Sequence, residues 1–457
     1  LAGDTGVLCD ARTNLPRPFF SGRVTDPFPG TAAGLPVAFD ANNDTVFNEG
    51  TTVTLADGTY AIQPTVDLPE GTRTINVRVT DLGGNSAIVS TTIVVDRMPP
   101  APPSTPDLDP VSDTFGVGTT GTNQDNITND STPTFNGTAE PNATVTLFVN
   151  NVARGSGPAD QFGNWQITID IDSIVAAGQV ATVNVTARAT DAAGNTNSTA
   201  SSALAVTFDR QAPTPISTPN LDATSDSGNP TDDITNDNTP LFRGTTGVPD
   251  TNVVTLLNGS CTPPPATGSS IGTDLTLPGG NWDINSLITL ADGSYNILAA
   301  ATDKAGNINV SGCLPLTVDT VTPAPQDLAL AAGSDSGVSA SDRITRGISS
   351  SVPAFNGTVT ITGTAELQST VTLSNSTGVL GQAMMGDDAS NGILNDRLGR
   401  WTFTSILPEG VNNITATAVD LAANTSNVSQ TLVVTIDTRI TKPAITGISP
   451  DNGPSST

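Results

Sequence analysis

No histidine occurs in the 457 residues. That excludes His-based general bases, Ser-His-Asp and Cys-His nucleophile systems, and His-ligated zinc, copper or haem. Lysine is nearly absent, with Lys304 and Lys442 alone beside 15 Arg. Glutamate is scarce as well: 5 Glu against 39 Asp. Aromatics make up 4% of the chain, so each core must be small and built from Val, Ile, Leu and Ala. No apolar run approaches the roughly eighteen residues of a membrane-spanning helix. The longest resemble Ile297–Ala301. The formal net charge of −27 argues against nucleic acid or an anionic membrane surface as a partner. Leu1 opens no signal peptide, so the chain is expected to be a mature product or a piece of a longer one.

The composition that remains is one of turns and strands. Aspartate builds turns and is a short, stiff oxygen ligand for calcium. A chain that needed only solubility would use Glu and Lys freely. With 43 Gly, 34 Pro and abundant Thr, Ser and Asn, the fold class is all-β.

Self-similarity organises the chain. The motif Asp-x-x-Gly/Ala-Asn recurs at Asp81–Asn85, Asp191–Asn195, Asp303–Asn307 and Asp420–Asn424, at spacings of 110, 112 and 117 residues. Trp165, Trp282 and Trp401 recur at 117 and 119. A β-branched strand ends in Asp96, Asp209, Asp319 and Asp437. Module openings repeat as Ser112-Asp113…Asp125-Asn-Ile-Thr128, Ser225-Asp226…Asp233-Ile-Thr235 and Ser334-Asp335…Asp342-Arg-Ile-Thr345. These landmarks cut the chain into modules 1–97, 98–210, 211–319 and 320–438, with a stub at 439–457. Pro-rich linkers such as Met98–Pro103 separate them.

Within a module the apolar period is two. In the second, Val145, Leu147 and Val149 alternate with polar residues. So do Trp165, Ile167 and Ile169, then Val183, Val185 and Ala187, then Leu204, Val206 and Phe208. About seven short strands in each module predict four tandem immunoglobulin-like β-sandwich domains, strung as an extended rod. The Cys…Trp…Cys spacing of antibody domains is missing.

The run Thr132–Pro141, followed by Gly163-Asn-Trp165, Asp191–Asn195 and Val206–Asp209, resembles the bacterial Ig-like repeats of giant surface adhesins and biofilm-associated proteins. The likeness is good in modules two to four. The first module has no Trp and replaces the Thr-Ala-Glu-Pro turn with Thr25-Asp-Pro-Phe28. The resemblance implies stalks, often stiffened by calcium between domains, with ligand recognition placed elsewhere.

The junction aspartates are the sharpest chemical feature. Asp96 ends one module, and Asp109, Asp113 and Asp125 open the next. The second junction has Asp209, Asp222, Asp226 and Asp233, and the third has Asp319, Asp327, Asp335 and Asp342. Carboxylates converging on one loop repel unless a cation sits among them, so structural Ca2+ is expected there. The plainer reading is a set of polar turns. The three Trp are expected to cap small cores rather than form sugar platforms. The Asp-x-x-Gly/Ala-Asn motif reads first as a turn between the last two strands. Cys261 and Cys313 share a module and are expected to form a disulfide in an extracellular setting, leaving Cys9 over. Fourteen Asn-x-Ser/Thr sequons stand against about nine by chance. Asn43, Asn136, Asn142, Asn258, Asn356 and Asn375 are among these possible glycosylation sites.

The sequence therefore reads as an extracellular, non-enzymatic stalk or fibril for adhesion or matrix building. A glycan-binding array and accessory domains of a secreted enzyme are the alternatives. For the enzyme, the acidic insertion Met384–Asp388 is the one candidate. Copies of the chain, or further repeats of it, are the expected partners. With Leu1 placed after Thr457, 37 residues from Asp420 to the end and 81 more to Asp81 make 118, close to the internal period. The stub 439–457 is thus expected to complete the next module head to tail, whose N-terminal edge is otherwise incomplete.

Overall fold

The computed structural model describes residues 5–6, 10–25, 32–116, 121–247, 251–260, 268–275, 277–347, 357–384 and 398–444, with the side chains of 278, 384 and 398 excluded. Among these residues the regular structure is β throughout, save one 3-10 turn at Pro278–Gly280. No helix among them is long and apolar enough to cross a membrane. The chain forms two compact units. The first comprises Leu1–Thr214, Pro249–Asn252 and Thr302–Asn309; the second comprises Pro215–Val248, Val253–Ala301 and Val310–Thr457.

Each module is a sandwich of a large and a small sheet. In the second module the small sheet orders Asn164–Thr168, Thr134–Thr138 and Asp107–Leu108. The large sheet orders Val152–Pro158, Thr144–Val149, Val180–Thr190, Leu204–Asp209 and Ile127–Thr128. Its last pair is parallel, Thr207 beside Ile127 and Phe208 beside Thr128. The same parallel pairing recurs at Arg12–Thr13, Ile234–Thr235 and Ile344–Thr345 against the terminal strand of each module. The alternation read from the sequence is the alternation of burial. Val145, Leu147, Trp165, Ile167, Val183, Val185, Val206 and Phe208 all enter one core. Equivalent cores fill the third, fourth and first modules.

The tryptophans pack as expected, at 3%, 2% and 3% exposure for Trp165, Trp282 and Trp401. Each lies opposite a glycine in the small sheet: Gly137, Gly244 and Gly363. A Cβ on those glycines would stand 2.2–2.4 Å from the indole Cζ2, so the ring occupies the space a side chain would need. The first module keeps the arrangement with another ring. Gly22 lies opposite Tyr60, and a Cβ there would meet the phenol at 2.5 Å. The missing Trp is thus a substitution within the same packing device. The signal was the glycine two residues after a core Phe, shared by Phe20-Ser-Gly22 and Phe135-Asn-Gly137.

Candidate functional site: the module junctions

The motif Asp-x-x-Gly/Ala-Asn is a tight turn closed by its own aspartate. Asp191 Oδ1 accepts the Asn195 backbone N–H at 2.9 Å, and Asp191 Oδ2 accepts the Asn195 side-chain amide at 2.8 Å. The other three motifs are closed in the same way. From the sequence only the turn itself is expected, between the last two strands of each module. The structure adds a second use for the asparagine. Its amide also donates to the backbone carbonyl of the aspartate that ends the preceding module. The distances are 2.8 Å for Asn195 to Asp96, 2.9 Å for Asn307 to Asp209 and 2.7 Å for Asn424 to Asp319.

A second hydrogen bond runs the opposite way. A hydroxyl in the opening loop donates to a carbonyl inside the next module's turn. Thr5 reaches Ala193 at 2.6 Å, Thr114 reaches Ala305 at 2.9 Å and Ser227 reaches Ala422 at 2.6 Å. Glycine is required beside two of these contacts. Gly6 and Gly228 have positive φ, and a Cβ on them would lie 2.3 and 2.1 Å from the carbonyl oxygens of Ala192 and Leu421. Three junctions are therefore clasped by one repeated pair of bonds.

The opening aspartates form a second repeated feature. Asp113 is 1% exposed and Asp226 is 8% exposed. Asp113 Oδ2 accepts the Asn126 backbone N–H at 3.1 Å, and Asp335 Oδ2 accepts that of Arg343 at 3.1 Å. The other oxygen, Oδ1 of Asp113, Asp226 and Asp335, is buried with no hydrogen-bond partner. Burial pushes the Asp113 carboxyl above the usual range, and the Asp125 and Asp107 charges push the same way against the Asn126 bond. Burial raises Asp226 too, helped by Asp232 and Asp233. In the second module Asp107, Asp113, Asn123, Gln124 and Asn126 line a cavity of about 250 Å³.

Among the described residues no three carboxylates gather as a ready-made metal site. Several have local partners instead. Asp109 accepts from Val111 N–H and the Asn136 amide, at 2.9 and 2.8 Å, and these bonds hold its carboxyl below the usual range. Asp222 bonds Thr224 and pairs with Arg243 at 2.7 Å, and it too is lowered, chiefly by the Thr224 hydroxyl. Asp96, Asp209 and Asp319 each accept the backbone N–H two residues on, starting the linker. The second carboxylate of each opening is Asp125, Asp232 or Asp342, which accept from Ile127, Ile234 and Ile344. Asp232, not Asp233, therefore stands in the place of Asp125. Asp233 sits at the left-handed position, φ 56°, matching Asn126 and Arg343. The run Asp232-Asp233 hid this offset in the sequence.

Other acids at the boundaries carry no repeat signature in the sequence. Glu140 is raised by burial and by the charges of Asp191 and Asp96. Asp303 is raised first by burial, with Asp209 adding to it. In the second unit Asp292, Asp319 and Glu366 line a cavity of about 240 Å³. A further acidic loop, Asp40–Glu49, satisfies itself. Asp40 accepts from Asn43, Asp44, Thr45 and Asn76.

Cys313 is disulfide-bonded. Cys9 and Cys261 lie outside the described residues, as do Asn356, most of the insertion after Met384 and residues 445–457. Asn43 and Asn142 are exposed at positive φ. Asn136, Asn258 and Asn375 are half-buried.

The bacterial Ig-like domain family matches residues 1–97, 102–210, 212–320 and 322–438, and the chain belongs to that family. Among solved structures it is similar to a Ca2+-stabilised adhesin that helps an Antarctic bacterium reach out and bind ice. Identity is 21%, over 95% of this chain and 98% of that one, with a TM-score of 0.32. It is also similar to a tetra-tandem repeat from the extending region of a large adhesion protein, at 19% identity, 95% and 99% coverage and TM-score 0.27. A biofilm-associated protein domain follows at 13% identity, 95% coverage of each chain and TM-score 0.16. No curated protein matches.

Proposed function

We propose that this chain is a non-catalytic extracellular stalk for adhesion or matrix building, with cations bound near its module junctions. The supporting observation is the buried, unpartnered Oδ1 of Asp113, repeated at Asp226 and Asp335. Leaving such an oxygen without a partner is costly. A hard divalent ion would satisfy it, and calcium suits a donor set of carboxylate, amide and carbonyl oxygens. Asp113 and Asp125, with oxygens from Asp107, Asn123 and Gln124, would hold the ion in the second module. Asp226 with Asp232, and Asp335 with Asp342, would do so in the third and fourth. Bound there, the ion would lock the opening loop whose Thr114 or Ser227 clasps the next module. The stalk would continue head to tail beyond these four modules, and the Cys261–Cys313 bridge would brace the third.

The test is chelation. Calcium removal should lower the melting temperature by mass-action linkage and increase bending between modules in small-angle scattering. Identical melting and scattering curves with calcium and with chelator would refute the cation. Asp226→Ala with Asp232→Ala should remove the response of one site.

A further inference from the structure

In every module one loop position is held in the left-handed region, just before the parallel opening pair. Its occupants are Ala11, Asn126, Asp233 and Arg343, with φ of 59°, 59°, 56° and 60°. Asn and Asp adopt that region readily and Ala and Arg do not, so the loop imposes it and the side chain does not. The backbone at this position is committed on both sides. Its carbonyl accepts from the module's terminal strand: from Val94 at 2.9 Å, Thr207 at 2.8 Å, Thr317 at 3.0 Å and Thr435 at 2.9 Å. The N–H of Asn126 and of Arg343 donates to Oδ2 of the opening aspartate, at 3.1 Å in both. The position is therefore fixed beside the carboxylate whose other oxygen is buried without a partner, by bonds that use no side-chain atom of its own.

What differs between modules is the charge around that oxygen. In the second module Asn126 is neutral, and Asp107 lines the same cavity as Asp113. Strand register puts Asn220 in the third module, and Ala329 in the fourth, where the second has Asp107. These three face Arg243, Thr362 and Asn136 respectively, the residues just before Gly244, Gly363 and Gly137. The third module recovers the lost carboxylate at Asp233. Burial raises Asp226 first, and the charges of Asp232 and Asp233 push the same way, so both reach that site. Asp107, Asp113 and Asp125 are thus matched by Asp226, Asp232 and Asp233. At the same positions the fourth module has only Asp335 and Asp342, with the guanidinium of Arg343 in the left-handed place.

We infer that Arg343 makes the fourth module's cation site the weak one, so that the second and third modules take calcium first and the fourth only at higher concentration. The affinity of an oxygen-donor calcium site follows the charge count of its ligands. A unit positive charge a few ångströms from a divalent ion opposes its binding by about tenfold even through water. Arg343 acts on the ion through this field without touching it, and Asp233 acts in the same way with the opposite sign. The loops bearing Thr114 and Ser227 therefore lock over one calcium range, and the loop bearing Ser336 over another. The inference rests on the junction cations proposed above. It goes beyond them in naming the residue that grades the sites and the order in which they fill.

Hydrogen-exchange mass spectrometry of the full chain, across a series of free calcium concentrations, reads each opening loop separately. The midpoints of protection for the second and third loops should fall close together, with that of the fourth about tenfold or more higher. Arg343→Asn should bring the fourth midpoint down about tenfold. The loop tolerates that residue, since Asn126 already occupies the equivalent place. Arg343→Lys keeps the charge and should leave the midpoint high. Asp233→Asn should raise the third midpoint about tenfold and leave the other two in place. Three coincident midpoints, or a fourth midpoint that Arg343→Asn leaves unmoved, overturn the inference while the junction cations stand. Calcium that protects none of the three loops refutes the cations themselves, and the inference with them.

Discussion

Asn195 donates its side-chain amide to the backbone carbonyl of Asp96, 2.8 Å away and 99 residues earlier in the chain. The same amide closes its own turn on Asp191. One side chain thus shapes a hairpin and ties it to the preceding module. Asn195→Ala should cost about 1 kcal/mol at the junction, the net worth of a typical hydrogen bond. Small-angle scattering should show greater bending between the first two modules. The contiguous core cluster of each sandwich should keep its hydrogen-exchange protection, because the clasp residues are not members of it.

The buried aspartates set the dependence on pH. Asp113 and Asp226 have carboxyl pKa values raised above the ordinary value, first by burial. The stability they confer in chelator is complete below that ordinary value of about 4 and is lost as pH rises through the raised folded value. Asp109 and Asp222 are lowered, chiefly by Asn136 and Thr224, so their contribution is lost as pH falls through the lowered value. Chelated protein should therefore melt highest at a mildly acidic pH, and lower at neutrality. Calcium should abolish that difference, because the ion needs the ionised pair. Asp113→Asn should raise the chelated melting temperature of the second module and blunt its response to calcium. Thermal scans across pH, with and without chelator, decide this.

Gly137 shows how little room the small sheet leaves. Gly137→Ala would drive a Cβ to 2.3 Å from Trp165 Cζ2 and 2.8 Å from Ser104 Oγ. The ring cannot retreat, because it is buried in the module core. The substitution should destabilise the second module by about 1–3 kcal/mol, the range for overpacking. Gly22→Ala should do the same in the first module through Tyr60. Calorimetry that finds either variant as stable as the parent would show that the ring can be moved cheaply.

The disulfide of Cys313 calls for peptide mapping under non-reducing conditions. The expected linked pair is Cys261 with Cys313, closing a loop of about fifty residues for which the chain-entropy model gives roughly 4 kcal/mol. Reduction should lower the melting of the third module alone. A map that joins Cys313 to Cys9 would remove that expectation.

What the sequence determined by itself was everything carried by periodicity. Val145, Leu147 and Val149 had to share a face because a strand alternates, and a four-fold repeat required four similar modules. Asp191 and Asn195 announced a turn because both residues act within five positions of the chain. Only the tertiary structure decided what those groups meet at long range. No local rule brings the Asn195 amide to a carbonyl 99 residues back, or distinguishes Asp232 from Asp233 when the two are adjacent and chemically identical. At each junction the aspartates lined up in the sequence as one acidic set. Folding separated them, because a short carboxylate first satisfies the nearest backbone N–H. Asp113, Asp226 and Asp335 differ, because their loops bury one carboxylate oxygen away from every donor.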